Sequence, residues 1–297
     1  MVNVLNGRIV KAIAGFFYVY TENYGIIECH AKGILRKGKY RPLVGDLVKI
    51  ELLDENDKKG NLIFIDERVN SCIRPEVANV DSAILIFAFD SPAPNLLLLD
   101  RFLIMLEKQG IHCNICFNKM DICDDTKRKA IIDAYTNSGY LVYEVSATEN
   151  IGIDVLKQQM KGKVTVLAGP SGVGKSSILN LLYPEANAKT GEISKKSERG
   201  KHTTRHSELF SLGNDTFVLD TPGFTALEFM DGLEANELKA YYKEMYEYEG
   251  KCKYDPCSHT HEPYCAVKDA VINGHIEKIR YQNYCSLYEE LKNKTRF

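Results

Sequence analysis

Residues Gly169 to Ser176 read Gly-Pro-Ser-Gly-Val-Gly-Lys-Ser, and this stretch constrains the fold more than any other in the chain. Its spacing is that of a phosphate-cradling loop, which works only between a buried strand and the first turn of a helix. Both flanks fit: Val164 to Ala168 is a continuous apolar run, and Ser176 to Leu182 has the apolar spacing of a helix. Glycines at Gly169, Gly172 and Gly174 let successive backbone N–H groups turn toward an anion, with Pro170, Ser171 and Val173 completing the cradle. Lys175 supplies a cation at the outer phosphates. Ser176, followed by Ser177, offers a hydroxyl to magnesium at the helix N-terminus.

The chain around this loop has the texture that such a site needs. From about Val77, apolar runs (Ala83 to Phe89, Ile111 to Phe117, Leu141 to Val145, Thr216 to Leu219) alternate with helical stretches such as Leu96 to Lys108, Thr126 to Ser138 and Ile153 to Lys161. That pattern predicts an α/β domain over residues 71–225 with a parallel sheet covered on both faces. Three further motifs end its strands. Asp220-Thr221-Pro222-Gly223 places a carboxylate for magnesium and a glycine amide for a terminal phosphate. Asn118-Lys119-Met120-Asp121 places a carboxylate that accepts from the N1–H and 2-amino group of guanine, a donor pair adenine lacks. Ser146-Ala147 offers a backbone amide to the guanine carbonyl oxygen. Together they specify GTP and GDP. The base-reading motifs precede the phosphate loop, so the domain reads as circularly permuted.

The flanking regions differ in character. Residues 1–70 hold short β-rich runs separated by Gly, Asn, Asp and Lys clusters, the pattern of a five-stranded OB-type barrel. Lys32, Arg36, Lys37, Lys39 and Arg41 form a basic stretch inside it. It reads either as a solvated loop or as a contact for an acidic polymer. Residues 226–297 carry no strand signal and read as a mainly α module around Cys252, Cys257, His259 and Cys265. Three thiolates and one imidazole make a closed tetrahedral zinc set of the structural kind, with His261 a competing fourth ligand. Cys257 and His259, one residue apart, would share a side of an extended segment. The six other cysteines read as buried small apolar residues. Thirty-eight basic residues balance forty acidic ones, for a formal charge of -2, so any RNA contact must be a local patch. No apolar run reaches bilayer length, which predicts no membrane segment, and the chain start lacks the apolar core of a secretory signal.

Between the phosphate helix and Asp220 lies a polar segment from Lys189 to His206 with six lysines and arginines against Glu192 and Glu198. Its position suits a switch ordered by the terminal phosphate, with Thr203 or Thr204 as a magnesium ligand beside Ser176 and Asp220. The residue after Gly223 is Phe224, which cannot orient an attacking water. His202 is the candidate substitute, and a histidine in a basic loop serves equally well as an RNA contact.

With these parts assembled, the chain closely resembles the circularly permuted RsgA (YloQ, EngC) family along nearly its whole length. The permuted order, Gly200-Lys201-His202-Thr203-Thr204, and Cys252-x4-Cys257-x-His259-x5-Cys265 followed by Ala266-Val267 carry the likeness. The resemblance implies a cytoplasmic GTPase, expected to be monomeric, that binds the small ribosomal subunit and its rRNA late in maturation and is stimulated by it. It further implies His202, acting with Lys175, as catalytic, and one structural zinc besides the magnesium bound with GTP. Many relatives carry arginine where this chain has Lys201. An RNA-docking adaptor that holds GTP as a structural ligand is the alternative.

Overall fold

A computed structural model of the chain describes residues 3–32, 41–72, 76–184, 208–220 and 232–294. Strands β1 (Asn3–Ile13), β2 (Phe16–Thr21), β3 (Gly25–Ala31), β4 (Leu47–Asp54) and β5 (Lys59–Ile65) close into a barrel in the order β1-β2-β3-β5-β4. Alternation drives it inward: Ile9, Val19, Ile27, Val48, Ile50 and Leu62 are buried in its centre. A small ladder of β6 (Ser71–Cys72) and β7 (Val77–Ala78) leads out of the barrel toward the central domain.

The central sheet contains β8 (Ser82–Ala88), β9 (His112–Asn118), β10 (Val142–Glu144), β11 (Val164–Ala168), β12 (Leu209–Gly213) and β13 (Thr216–Asp220), in the order β10-β9-β8-β11-β13-β12. All neighbours are parallel except β12, which runs antiparallel to β13 at the edge. Every residue of β8 and β11 is buried, as a sheet covered on both faces requires. The cover comes from helices α1 (Leu96–Lys108), α2 (Asp125–Thr136), α3 (Ile153–Met160) and α4 (Lys175–Leu182). Asn95 starts α1 by accepting from the Leu98 amide at 2.9 Å, and Asp124 starts α2 by accepting from the amides of Thr126 and Lys127. The sequence pattern did not indicate β12. Of the six cysteines outside the cluster, Cys29, Cys72, Cys113 and Cys116 are buried, whereas Cys123 and Cys285 are part-exposed.

The C-terminal region holds no strand among its described residues. Two 3-10 stretches, Ala235–Tyr241 and Lys243–Tyr248, precede α5 (Ala266–Ile272) and α6 (Lys278–Lys294). A buried polar network joins it to the central domain. Asp100 of α1 accepts from the Tyr135 hydroxyl at 2.9 Å, from Asn283 at 2.8 Å, from the Tyr242 hydroxyl at 3.3 Å and from the Arg280 guanidinium. Arg280 also donates to Glu244 at 2.8 Å. Burial alone would push the Arg280 guanidinium down, but Asp100 and Glu244 hold it well above its usual range. Its charge is therefore permanent, and removing it strands two buried carboxylates. Arg280→Ala is expected to cost about 3–5 kcal/mol of unfolding free energy, read from denaturant midpoints.

Candidate active site and metal cluster

The carboxyl ends of the parallel strands collect the base and phosphate motifs on one edge, where open α/β sheets bind ligands. β9 delivers Asn118, whose buried side chain donates from Nδ2 to the Val173 carbonyl at 2.8 Å and accepts at Oδ1 from the Ala147 amide at 3.0 Å. One carboxamide thereby ties the phosphate loop and the Ser146-Ala147 turn to the base-reading turn. Lys119, in the left-handed region at φ 65°, donates from Nζ to the Gly172 carbonyl at 2.9 Å and to the Ser91 carbonyl. Met120 and Asp121 follow in a single 3-10 turn, with Asp121 exposed. Ser146 is fully buried and its Oγ accepts from the Glu149 amide at 3.1 Å, which holds the turn closed.

The phosphate loop leaves β11 at Gly169 and enters α4 at Lys175. Gly174 has φ +94°, and a Cβ there would lie 2.2 Å from Asn118 Nδ2, so glycine is required for the Asn118 tie to form. A Cβ on Gly169 would meet the Ile86 carbonyl at 2.0 Å, so the loop's first residue also depends on close approach to β8. Lys175 folds back over the loop, its Nζ donating to the Pro170 carbonyl at 2.6 Å. Ser176 and Ser177 are exposed in the first turn of α4. Asp220 ends β13, in register with Leu167 of the strand that feeds the loop. His202, Thr203, Thr204 and Gly223, with Lys201 and Phe224, lie outside the described residues, as do Arg36, Lys37 and Lys39.

Sequence reasoning missed Ser91 as the second anchor of Lys119. The Asp90-Ser91-Pro92 turn at the end of β8 was the available signal, since it occupies the same strand edge as the motif-bearing turns.

In the C-terminal region the ligand atoms of Cys252, Cys257, His259 and Cys265 lie within 4.8 Å of one another. Cys252 Sγ is 3.8 Å from Cys265 Sγ, and His259 Nδ1 is 3.5 Å and 3.4 Å from those sulfurs. A tetrahedral zinc with ordinary bond lengths would set S···S edges near ~3.8 Å and S···N edges near ~3.6 Å. The donor set therefore fits such an ion, with Nδ1 as the imidazole ligand. Burial pushes the Cys257 thiol up to about 12, so a bound cation is what would bring it to thiolate. His261 is outside the cluster: its exposed ring pairs with Glu289 at 3.0 Å. The convergence of Cys257 and His259 is not that of a plain extended segment, because His259 sits at φ 59° and turns the chain.

Glu262, unremarked in the sequence, braces this loop by accepting from the Ser258 amide at 2.9 Å and the Thr260 amide at 3.2 Å. Burial alone would raise its pKa, but hydrogen bonds from the Ser258 hydroxyl first, and then from these backbone amides, win and bring it down to about 2. The brace is thus complete above the ordinary glutamate value of 4.5 and is lost as pH falls toward about 2.

Comparison with known proteins agrees with this geometry. The RsgA GTPase profile matches residues 65–230 and the RsgA N-terminal domain profile matches residues 6–62. A curated relative from Agathobacter rectalis, the small ribosomal subunit biogenesis GTPase RsgA, is 46% identical over 99% of this chain and 100% of its own length. Its namesake from Bacillus velezensis is 46% identical over 97% of this chain and 98% of its own. Among solved structures, YloQ, described as a circularly permuted GTPase, matches at a TM-score of 0.79 and 38% identity, covering 98% of this chain and 96% of YloQ. YjeQ from Thermotoga maritima matches at 0.80 and 33% identity, covering 97% and 99%. A nucleotide edge built in permuted order, behind a closed barrel and ahead of a Cys/His cluster, and full-length relatives at this identity lead to one conclusion: the chain belongs to the RsgA GTPase family.

Proposed function

We propose that this GTPase docks on the small ribosomal subunit and its rRNA late in maturation, hydrolyses GTP to GDP and phosphate there, and is accelerated by the subunit. The observation that carries the GTP part is Asn118, whose single side chain binds the phosphate loop and the Ser146-Ala147 turn to the base-reading turn. The names of the full-length relatives support the subunit as partner. The basic stretches at 32–41 and 189–206 supply the charge that an RNA surface would meet. In this reading the chain works as a monomer in the cytoplasm, and no helix among the described residues is long and apolar enough to cross a membrane.

The pocket acts by position and charge. Asp121 accepts from the guanine edge, the Ser146-Ala147 turn meets the guanine carbonyl oxygen with the Ala147 N–H shared between that oxygen and Asn118 Oδ1, and residues 169–177 surround the phosphates with N–H donors. Lys175 stabilises charge on the outer phosphate oxygens, the Gly223 amide approaches the terminal phosphate, and His202 orients the attacking water in place of a glutamine. Ser176, Thr204 and Asp220 would hold the magnesium ion, which neutralises developing phosphate charge when bound. Cys252, Cys257, His259 and Cys265 would hold one structural zinc. Steady-state turnover with and without purified small subunits tests the assignment. Stimulation of at least about tenfold is expected, an increase large enough to reflect a completed catalytic arrangement. Binding of GTP and subunits with no stimulation would instead favour the adaptor, in which GTP is only a structural ligand.

A further inference from the structure

The barrel is joined to the nucleotide sheet at one bridge among the described residues, Lys11 of β1 against Glu208, the residue just before β12. The junction is built from the sequence outward. The β1-β2 register shifts between Ile9 and Lys11, an irregularity that re-aims the strand beside Lys11 while it stays paired with β2 through Ile13. Lys11 Nζ then reaches Glu208 at 2.8 Å. Beside it, Tyr20 packs edge-on against Phe217 of β13 with ring centroids 5.4 Å apart, and the Arg8 guanidinium lies 5.4 Å from the same ring. Arg8 also donates to the Gly45 carbonyl at 3.0 Å, so it is anchored in the barrel while it touches the sheet.

This junction holds the hairpin that closes the sheet. β12 is an edge strand with β13 as its partner, and β13 ends at Asp220, in register with the strand feeding the phosphate loop. Moving the barrel relative to the sheet therefore loads this hairpin. We propose that Lys11 and Glu208 are positioning residues that set this hairpin against the barrel, so that RNA held by the barrel alters GTP turnover through β12 and β13. The proposal rests on the subunit-stimulated reading given above and adds its route.

The pair is a poor candidate for a purely structural tie. Its side chains are 30% and 29% exposed, and ion pairs of that kind add little to stability. The Tyr20, Arg8 and Phe217 packing involves neither member of the pair. Its value lies in where it sits.

The test compares Lys11→Glu, Glu208→Lys and the double reversal K11E/E208K in the full chain. Basal kcat, KM for GTP, co-sedimentation with small subunits and melting temperature are measured beside stimulated turnover. Each single reversal is expected to lower the stimulation factor about threefold or more, with basal kcat and KM unchanged, and the double reversal to recover most of it. A merely structural pair would lower melting temperature without changing the ratio of stimulated to basal turnover. Wild-type stimulation in either single variant, or a double variant no better than the singles, overturns the positioning role alone. Absence of stimulation in the wild-type chain overturns the functional reading and this route together.

Discussion

Lys175→Ala is expected to reduce GTP turnover by about a hundredfold or more while leaving the melting temperature within a few degrees of wild type. The asymmetry follows from geometry. Lys175 is part-exposed at the start of α4 and its ammonium is held by the Pro170 carbonyl of its own loop, a contact local to that loop. On the proposed function, the outer phosphate oxygens would lose their fixed protein cation. A conservative Lys175→Arg would not rescue the loss, because a planar fork does not fit where a compact ammonium turns back over the loop. Steady-state kinetics with GTP, with calorimetric binding of GDP alongside, separates the two effects. Turnover within threefold of wild type would remove Lys175 from the catalytic assignment.

Cys257→Ala is expected to unfold the C-terminal region, lowering the melting temperature by about 20 °C or more and opening residues 232–294 to proteolysis. Structural zinc contributes on the order of 10 kcal/mol to small modules, and one kcal/mol moves the melting temperature by at least about 2–4 °C. The region has a modest core of its own, centred on Leu238, Tyr242, Met245, Val267, Tyr284 and Leu287, which sets a lower limit on what survives. Metal analysis should return one zinc per chain in the wild type and none in the variant. Treatment of the wild type with a strong chelator should reproduce the loss. An unchanged melting temperature after chelation, with no zinc found, would show that the four side chains gather without a metal.

The parts legible in the sequence were those whose chemistry is local. Gly174 must be glycine because its φ and the approach of Asn118 leave no room for a side chain, and a phosphate loop announces that need by its spacing. Asn118 and Asp121 follow a strand readable as a buried apolar run, so the residues and their place could both be inferred. The hairpin strand β12 was missed because Leu-Phe-Ser-Leu-Gly has neither strict alternation nor a long apolar run. Its signal was the turn: Asn214 and Asp215 both adopt positive φ, 48° and 52°, the turn chemistry of a tight hairpin. The Asp100 and Arg280 network was beyond sequence reading altogether. An aspartate in an apolar helix and an arginine in a polar one declare no partnership when tertiary packing alone brings them together. His259 shows a third limit, since alternation assumes extended backbone and a left-handed residue breaks it.

The central claim is that permuted halves of one chain form a single pocket in which Asp121 selects guanine for phosphates gripped around Lys175. The most direct measurement is nucleotide preference in Asp121→Asn, comparing GTP with xanthosine triphosphate by competition binding and turnover. Asparagine still accepts from the N1–H, but its amide donates where the carboxylate accepted, which suits the 2-oxo group of xanthine and opposes the 2-amino group of guanine. A loss of about a hundredfold or more for GTP, with a gain for the xanthine nucleotide, is the predicted result. An unchanged preference for GTP would place the base somewhere other than Asp121 and contradict the single pocket.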